Sequence, residues 1–416
     1  MKLLLRRVAI LPGEGPFVPH GFILIDGERI AAMGPGEPAG PPAAGTEVRD
    51  ASGMVAIPGL INAHTHLSLT VHRGVADDVR LFDFLVETRK RWSRATHEEA
   101  LAAALEGCHA AVRSGTTCLV DSYTSTPRPA AEAGRRAGVR VVGAPAARSL
   151  WLGEPAEDTF EACLKEADAT AAEYAGDDLM YLPCFAAHSP YNCSGEQIQR
   201  VKAACRDRGW PFAIHLAESP EEVDLIRRWH GVTPTEYLDR LGVLDDRSLL
   251  AHCVFLTDDD IQRLADRGSH VMHCPKSNAK LGNGTAPVPS CLRAGVSVAL
   301  GTDSMVSNNN LDMLEEMRFC VLVHRAVTRD PTVVTARQAF EMATIEGARA
   351  LGLEREIGSL RPGKRADLVL LALTPPTGLT EQSVLSDLVF HATAEAVRTV
   401  VVNGRIVLDG GAVIAA

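Results

Sequence analysis

The chain has 416 residues, 46% of them hydrophobic and 23% charged, the proportions of a soluble globular protein with a sizeable core. Forty-two basic residues against 52 acidic ones give a net charge of −10, with no Lys/Arg block to override it, which argues against a nucleic-acid partner. No apolar run approaches the roughly eighteen residues that a membrane span requires, so no membrane partner is expected.

The first residues, Met1-Lys2-Leu3-Leu4-Leu5-Arg6-Arg7, are too short an apolar stretch for a signal-peptide core and carry arginines where a cleavage site should approach. A buried first strand is the expectation. Ten cysteines are scattered without a Cys-x-x-Cys pair, and Cys118, Cys184 and Cys253 sit inside apolar runs. They read as reduced core residues of a cytoplasmic protein rather than a disulfide framework.

Up to about residue 58 the pattern is short β-like runs broken by Gly and Pro: Leu3-Ile10, Gly21-Ile25, Arg29-Met33 and Val55-Ile57, with Gly34-Gly45 as a loop. The far end is alike. Ala366-Leu371 is a buried-strand pattern, and Val397-Asn403 and Arg405-Asp409 flank Gly404 as a hairpin would. Two β-rich ends enclosing a different middle predict one small sheet domain built from both termini.

The middle alternates short apolar runs with longer helical patterns. The strand candidates are Leu60-His66, Thr117-Asp121, Val139-Ala144, Tyr181-His188, Phe212-Glu218, Ser248-Cys253, His270-Cys274 and Ser297-Asp303. Helical periodicity covers Glu98-Arg113, Ser194-Arg208, Glu221-Leu241 and Asp258-Arg267. Alternation of this kind predicts an α/β fold with parallel strands, and eight of them match a (β/α)8 TIM barrel. An open doubly wound sheet is the alternative, but no Gly-x-Gly-x-x-Gly follows the first strand to support it.

In such a barrel the chemistry sits at the C-terminal ends of the strands. Here those ends carry His64 and His66, Asp121, His188, His215 with Glu218, His252, His273 and Asp303. One strand-end histidine is more often a structural residue; this many ionisable groups closing apolar strands is poorly explained by core packing. In a strand, residues two apart face the same way, so His64 and His66 project together. His64, His66, His215 and Asp303 would form a three-nitrogen, one-oxygen set suited to one divalent ion, Zn²⁺ first and Fe²⁺ as the alternative, with a position left for water. Glu218 lies near enough to reach that water without ligating. Asp121 reads either as a support for the His-x-His pair or as a loop cap, and His273 as structural or as pocket wall. The charged and aromatic segment Arg80-Arg94 reads as a lid, a subunit contact or a solvated helix face.

Pro58-Gly59-Leu60-Ile61-Asn62-Ala63-His64-Thr65-His66-Leu67, His215-Leu216-Ala217-Glu218, Ala251-His252-Cys253, Ser277-Asn278-Ala279-Lys280-Leu281-Gly282, Gly301-Thr302-Asp303 and Ser307-Asn308-Asn309-Asn310 resemble the amidohydrolase superfamily. The closer resemblance is to its mononuclear deaminase and chlorohydrolase branch, which includes S-adenosylhomocysteine/methylthioadenosine, aminodeoxyfutalosine, guanine and cytosine deaminases and s-triazine hydrolases. The likeness covers nearly the whole chain, including Gly358-Ser359-Leu360-Arg361-Pro362-Gly363-Lys364-Arg365-Ala366-Asp367-Leu368.

The resemblance implies a catalytic barrel at 59–357 and a β-sandwich formed by 1–58 and 358–416. It implies His64, His66, His215 and Asp303 as metal ligands, Glu218 as proton shuttle, His252 as a polarising residue and His188 as a substrate contact. The expected activity is release of ammonia from a small amino-substituted N-heterocycle, a 6-aminopurine nucleoside in the first place. Alternatives of the same fold are guanine or pterin deamination and displacement from a triazine ring; a catalytically silent binding protein is the alternative of another class. Trp92 and Arg148 stand near the positions where adenosine-type members hold the ribose and the 5′ substituent. Relatives are commonly homodimers, which makes a second copy a possible partner.

Overall fold

A computed structural model of the protein describes residues 2–92, 95–122, 126–373, 375 and 378–414. Strands β1 (Lys2–Ile10), β2 (Val18–Asp26), β3 (Arg29–Pro35), β4 (Glu47–Asp50) and β5 (Val55–Pro58) come first. The middle supplies β6 (Leu60–Thr65), β7 (Thr116–Ser122), β8 (Arg140–Ala144), β9 (Ala146–Ala147), a small antiparallel pair β10 (Leu150–Trp151) and β11 (Glu154–Pro155), then β12 (Tyr181–Pro183), β13 (Phe185–Ala187), β14 (Phe212–Leu216), β15 (Ser248–His252), β16 (His270–His273) and β17 (Ser297–Leu300). The far end adds β18 (Leu368–Leu371), β19 (Val397–Val402), β20 (Arg405–Asp409) and β21 (Ala412–Val413).

Both ends of the chain build one nine-stranded sheet, ordered β21-β20-β19-β18-β5-β1-β2-β3 with β4 also on β1. Its hairpin forms where the sequence predicts it: Asn403 (φ 51°) and Gly404 (φ 73°) are both left-handed, as a two-residue turn between twisted strands requires.

The middle strands pair in parallel as two sheets, β12-β8-β7-β6 and β17-β16-β15-β14-β13-β9, giving the α/β class expected. The sheets meet at both edges. On one side Thr65 bridges Asp303 in parallel, and the Asp303 N–H donates to the His64 carbonyl at 2.9 Å. On the other, the Cys184 N–H donates to Gly143 O (2.9 Å) and the Ala186 N–H to Pro145 O (3.0 Å). Close approach at the first edge requires Gly301, since a Cβ there would lie 2.7 Å from the His64 backbone nitrogen.

Two elements differ from the sequence reading. Tyr181-His188 is two strands rather than one, because the chain bends at Pro183-Cys184 opposite a second proline, Pro145, between β8 and β9. Proline has no N–H for the ladder, so both neighbours change partners at the same level. The helical pattern Glu221-Leu241 is two helices, Pro220–His230 and Pro234–Arg240. Gly231 (φ 72°) ends the first in the left-handed conformation, and Thr233 caps the second ahead of Pro234.

Side-chain alternation gives each middle strand two buried faces. Ile61, Ala63, Cys118, Val120, Val142, Ala144, Ala213, Leu249, Ala251, Met272 and Ala299 form one cluster, while Leu60, Leu119, Val141, Ile214, Leu250 and Val298 pack in another with helix residues. The described cysteines are all free and buried. Among the described residues no helix is long and apolar enough to cross a membrane.

The terminal sheet is tied to the first residue of β8 by a fully buried ion pair, Arg140 Nη2 to Asp367 Oδ2 at 3.0 Å, and Asp367 also accepts the Asn403 N–H at 2.7 Å. Removing one partner of such a pair strands a charge in the interior. Arg140→Leu is therefore expected to destabilise the fold by about 3–5 kcal/mol, read from urea unfolding, with Asp367→Asn in the same chain recovering part of the loss.

Candidate functional site

Ala213 faces inward on β14, so His215, two residues on, faces the same interior. It meets His64 there with ring centroids 5.0 Å apart, and His64 lies 4.9 Å from His66 and 5.4 Å from His252. His66 Nε2 stands 3.0 Å from Asp303 Oδ1, and His64 Nε2 3.8 Å from the same oxygen. All five side chains are buried. Two overlapping sets, His64 with His66 and Asp303 and His64 with His215 and His252, bring potential ligand atoms within 4.8 Å of one another. The structure thus gathers the four sequence-predicted ligands in one place and adds His252 at equal reach.

The far nitrogen of each ring fixes its direction. His66 Nδ1 donates to Ser122 O and His215 Nδ1 to His188 O, both at 2.7 Å, and His252 Nδ1 donates to Asn278 Oδ1 at 2.9 Å. These partners only accept, so each Nδ1 carries a proton and each Nε2 faces the centre. Among the described residues His64 Nε2 is buried without a hydrogen-bond partner. Imidazole nitrogens converging on one another and on a carboxylate are a donor set that fits a divalent cation.

Burial and its histidine neighbours push His64 far below the usual imidazole range and His215 down to about 3. Burial works in the same direction on His66, but the hydrogen bond and charge of Asp303 outweigh it and leave His66 raised. Asp303 is held well below the carboxylate range: burial opposes this, and His66 overcomes it. Its Oδ2 accepts from Ser277 Oγ (2.6 Å) and Ser307 Oγ (2.7 Å), which leaves Oδ1 for the histidines.

Glu218 is buried, and its carboxyl is pushed well above its ordinary value first by burial and then by the charge of Asp303. Oε1 lies 3.6 Å from His252 Nε2 and 3.4 Å from Asn283 Nδ2. One pocket wall is made of Glu218, Asp303, His66, His188, His215 and His252. The opposite wall is apolar: Leu69, Tyr191 and Leu281, with Leu81, Phe84, Leu85 and Thr88 from one stripe of the helix Leu81–Trp92. One stripe of that helix thus lines the pocket, which agrees with the lid reading of the segment and leaves its exposed face to solvent or a subunit contact.

His188 lines the pocket 5.1 Å from the His215 ring, with Nδ1 near Ser189 Oγ (2.9 Å) and Asn192 Nδ2 (3.1 Å). Arg148 is half-buried and does not line the pocket; its charge reaches His188 and helps to lower it, after burial and His215. Trp92 ends the covering helix, and its side chain lies outside the described residues. Asp121 accepts the Leu67 N–H at 2.7 Å and is pushed up to about 6 by burial, so it supports the turn after His66. His273 faces His324 (Nε2 to Nε2, 3.1 Å) in the core, beside Cys320.

The sequence reading gave no role to Ser277, Ser307, Asn278 or Glu222. The first three stand inside the quoted motifs, but nothing in spacing says that they turn a ligand. Glu222 carries a legible signal, the Ser-x-x-Glu pattern of a helix start. Replacing both Ser277 and Ser307 by Ala is expected to weaken divalent-metal binding about ten- to a hundredfold, measured by competition with a chromogenic chelator; unchanged affinity would show that Asp303 needs no such support.

Residues 55–407 match the model of the amidohydrolase family. The chain is 40% identical over 427 residues to a 5-methylthioadenosine/S-adenosylhomocysteine deaminase of Moorella thermoacetica, covering 99% of this chain and 95% of that protein. It is 39% identical to a 5′-deoxyadenosine deaminase of Methanothermobacter thermautotrophicus, covering 99% and 94%. Among solved structures it is similar to an adenosine deaminase of Xanthomonas campestris with bound zinc, at a TM-score of 0.90 and 30% identity, covering 99% of this chain and 94% of that one.

Proposed function

The chain belongs to the amidohydrolase family, and from that premise we propose that it is a hydrolytic deaminase releasing ammonia from a 6-aminopurine nucleoside of the adenosine type. The observation that carries this reading is the buried Glu218 carboxyl, which lines the pocket beside the histidines and Asp303 and whose ionisation burial and the Asp303 charge oppose. The relatives named for methylthioadenosine, S-adenosylhomocysteine and 5′-deoxyadenosine support the choice of nucleoside.

We infer further that the two parallel sheets close as a (β/α)8 barrel over residues 59–357, and that the terminal sheet folds as a β-sandwich from 1–58 and 358–416. In this reading His64, His66, His215 and Asp303 hold one divalent ion. Zinc is the ion we assign, with the bound zinc of the Xanthomonas campestris relative in support. When bound, the ion lowers the pKa of water in the site towards neutrality and makes it nucleophilic at physiological pH.

The residues then divide the reaction. Asp303 Oδ1 orients the water and accepts a proton from it, while Oδ2 stays held by the two serines. Water adds to the ring carbon that bears the amino group. Glu218 donates its proton to the adjacent ring nitrogen, which relieves negative charge as the tetrahedral carbon forms. His252 Nε2 lies beside Glu218 and accepts a hydrogen bond from the hydroxyl that forms on the ring carbon. The carbon–nitrogen bond breaks as the amino group takes the proton held by Asp303 and leaves as ammonia, while Glu218 recovers a proton from the added hydroxyl and the ring keeps that oxygen as a carbonyl. His188 and the apolar wall hold the heterocycle, and Arg148 and Trp92 are assigned to the sugar and its 5′ substituent on the family resemblance alone.

Ammonia release should be measured with adenosine, 5′-deoxyadenosine and methylthioadenosine. Chelator-stripped protein is expected to be inactive and to recover with Zn²⁺ or Fe²⁺, and His215→Ala to lose the metal. Glu218→Gln is expected to retain it and lose about 10²- to 10⁴-fold in kcat. Full turnover by metal-loaded Glu218→Gln would refute the proton-donor assignment, and no ammonia from any of the three nucleosides would refute the substrate class.

A further inference from the structure

Glu222 is fully buried, one turn into the helix Pro220–His230, and touches neither the pocket nor the histidines directly. Its two carboxylate oxygens accept two successive backbone N–H groups, Oε1 from Ala217 at 2.8 Å and Oε2 from Glu218 at 2.9 Å. This departs from the usual arrangement at a helix start. In a capping box the acid at the third helical position turns back to the N–H of the capping residue, as Glu99 does to Thr96 and Asp260 to Thr257. Here the cap is Ser219, whose hydroxyl accepts the Glu222 N–H at 3.3 Å, yet the Glu222 carboxylate passes over the Ser219 N–H and reaches further back.

The segment it reaches is the one that aims Glu218. Ala217 has a left-handed backbone (φ 50°), a conformation that costs a non-glycine residue free energy and persists where its surroundings hold it. The Ala217 carbonyl accepts from Val254 (3.0 Å) and Phe255 (2.9 Å) on the neighbouring strand end, so this peptide is gripped on one side by that turn and on the other by Glu222. Among the described residues the polar contacts of the Glu218 carboxyl are long, 3.4 Å to Asn283 and 3.6 Å to His252. Its direction is therefore set by its backbone and not by partners of its carboxyl.

We infer that Glu222 is a positioning residue for the deamination, a carboxylate clamp on the Ala217 and Glu218 peptides that holds the Glu218 acid where it meets the substrate ring. The inference rests on the reading of Glu218 as proton donor. Two oxygens of one carboxyl, each accepting one of two consecutive N–H groups, fix both the height and the rotation of that short segment, which a single hydrogen bond cannot do. An acid displaced by about 1 Å can lose a hundredfold in rate while the substrate still binds.

The test compares Glu222→Gln, Ser219→Ala and Glu218→Gln in the full-length, metal-loaded enzyme. Kinetics, metal content and melting temperature are read together. Glu222→Gln keeps the shape but offers one acceptor oxygen and an opposing NH₂. It is expected to retain its metal, to keep KM within about threefold and to lose about ten- to a hundredfold in kcat. Ser219→Ala removes the cap of the same helix without loosening the clamp, and should lower the melting temperature with kcat unchanged. The inference is overturned if folded Glu222→Gln turns over normally, if its loss is one of metal or KM, or if Ser219→Ala loses as much kcat. Should Glu222→Gln not fold, Glu222→Asp retracts the charge by one methylene and is judged by the same split. A Glu218→Gln enzyme of full activity would instead overturn the proton-donor reading, so the two failures are told apart.

Discussion

The constraint on which the site depends is the direction of the imidazole rings. A histidine at a strand end can turn either nitrogen inward, and a carbonyl oxygen bound to one nitrogen removes that choice. Ser122 O does this for His66 and His188 O for His215, and the Asn278 side chain does it for His252. Two of those three acceptors are main-chain atoms whose positions follow from the parallel ladder. The fold thus chooses the tautomer as well as the location, and both are needed before a cation can be held. Asp303 is set in the same manner, one oxygen fixed by Ser277 and Ser307 and the other left to the centre.

The backbone at these strand ends is unusual in a consistent way. Ala217, His252, Cys253 and Asp303 all have positive φ, and each follows or closes a strand of the parallel sheets. Each such residue costs of order 1–3 kcal/mol and must be held by its surroundings. The turn lets a chain that has just left the ladder direct a side chain across the pocket instead of along the strand. Hydrogen bonds between neighbouring strand ends, such as Cys253 N–H to Leu216 O and Asp303 N–H to His64 O, both at 2.9 Å, supply the hold.

Much of this was legible in the sequence where one residue type at one spacing carries the information. His64-Thr65-His66, His215 with Glu218, His252 and Asp303 were each found at the end of an apolar run, and all converge. What escaped depends on partners far along the chain or on the main chain. The bend at Pro183 is visible only with Pro145 opposite it, since either proline alone is compatible with a strand end. The break at Gly231 was marked by Gly231 and Pro234 but lay inside a helical hydrophobic period strong enough to conceal it. Trp92 and Arg148 came from positions in the resembled family, whereas the covering helix presents Leu81, Phe84, Leu85 and Thr88, which its own three-and-four spacing marks. Periodicity reports which face of a helix is buried and says nothing of what it is buried against.

The two ends of the middle strands carry different burdens. Arg140, the first residue of β8, reaches Asp367 beneath the terminal sheet, and the Gly59 N–H just before β6 donates to Asp367 O at 3.0 Å. β6 runs from there to His64 and His66, and its neighbour β7 finishes at Ser122. A five-residue strand is about 17 Å long, so anchoring and chemistry are separated by roughly the length of a strand with apolar core between them. Strained turns can therefore gather at one end without loosening the other, where hydrogen bonds and the Arg140–Asp367 ion pair join the parallel sheets to the terminal sheet. A change at Arg140 would act on the whole chain's stability, while a change at Glu222 or Ser307 would act on the placement of one side chain, because the structure between them is packed and does not transmit small displacements as continuous deformation.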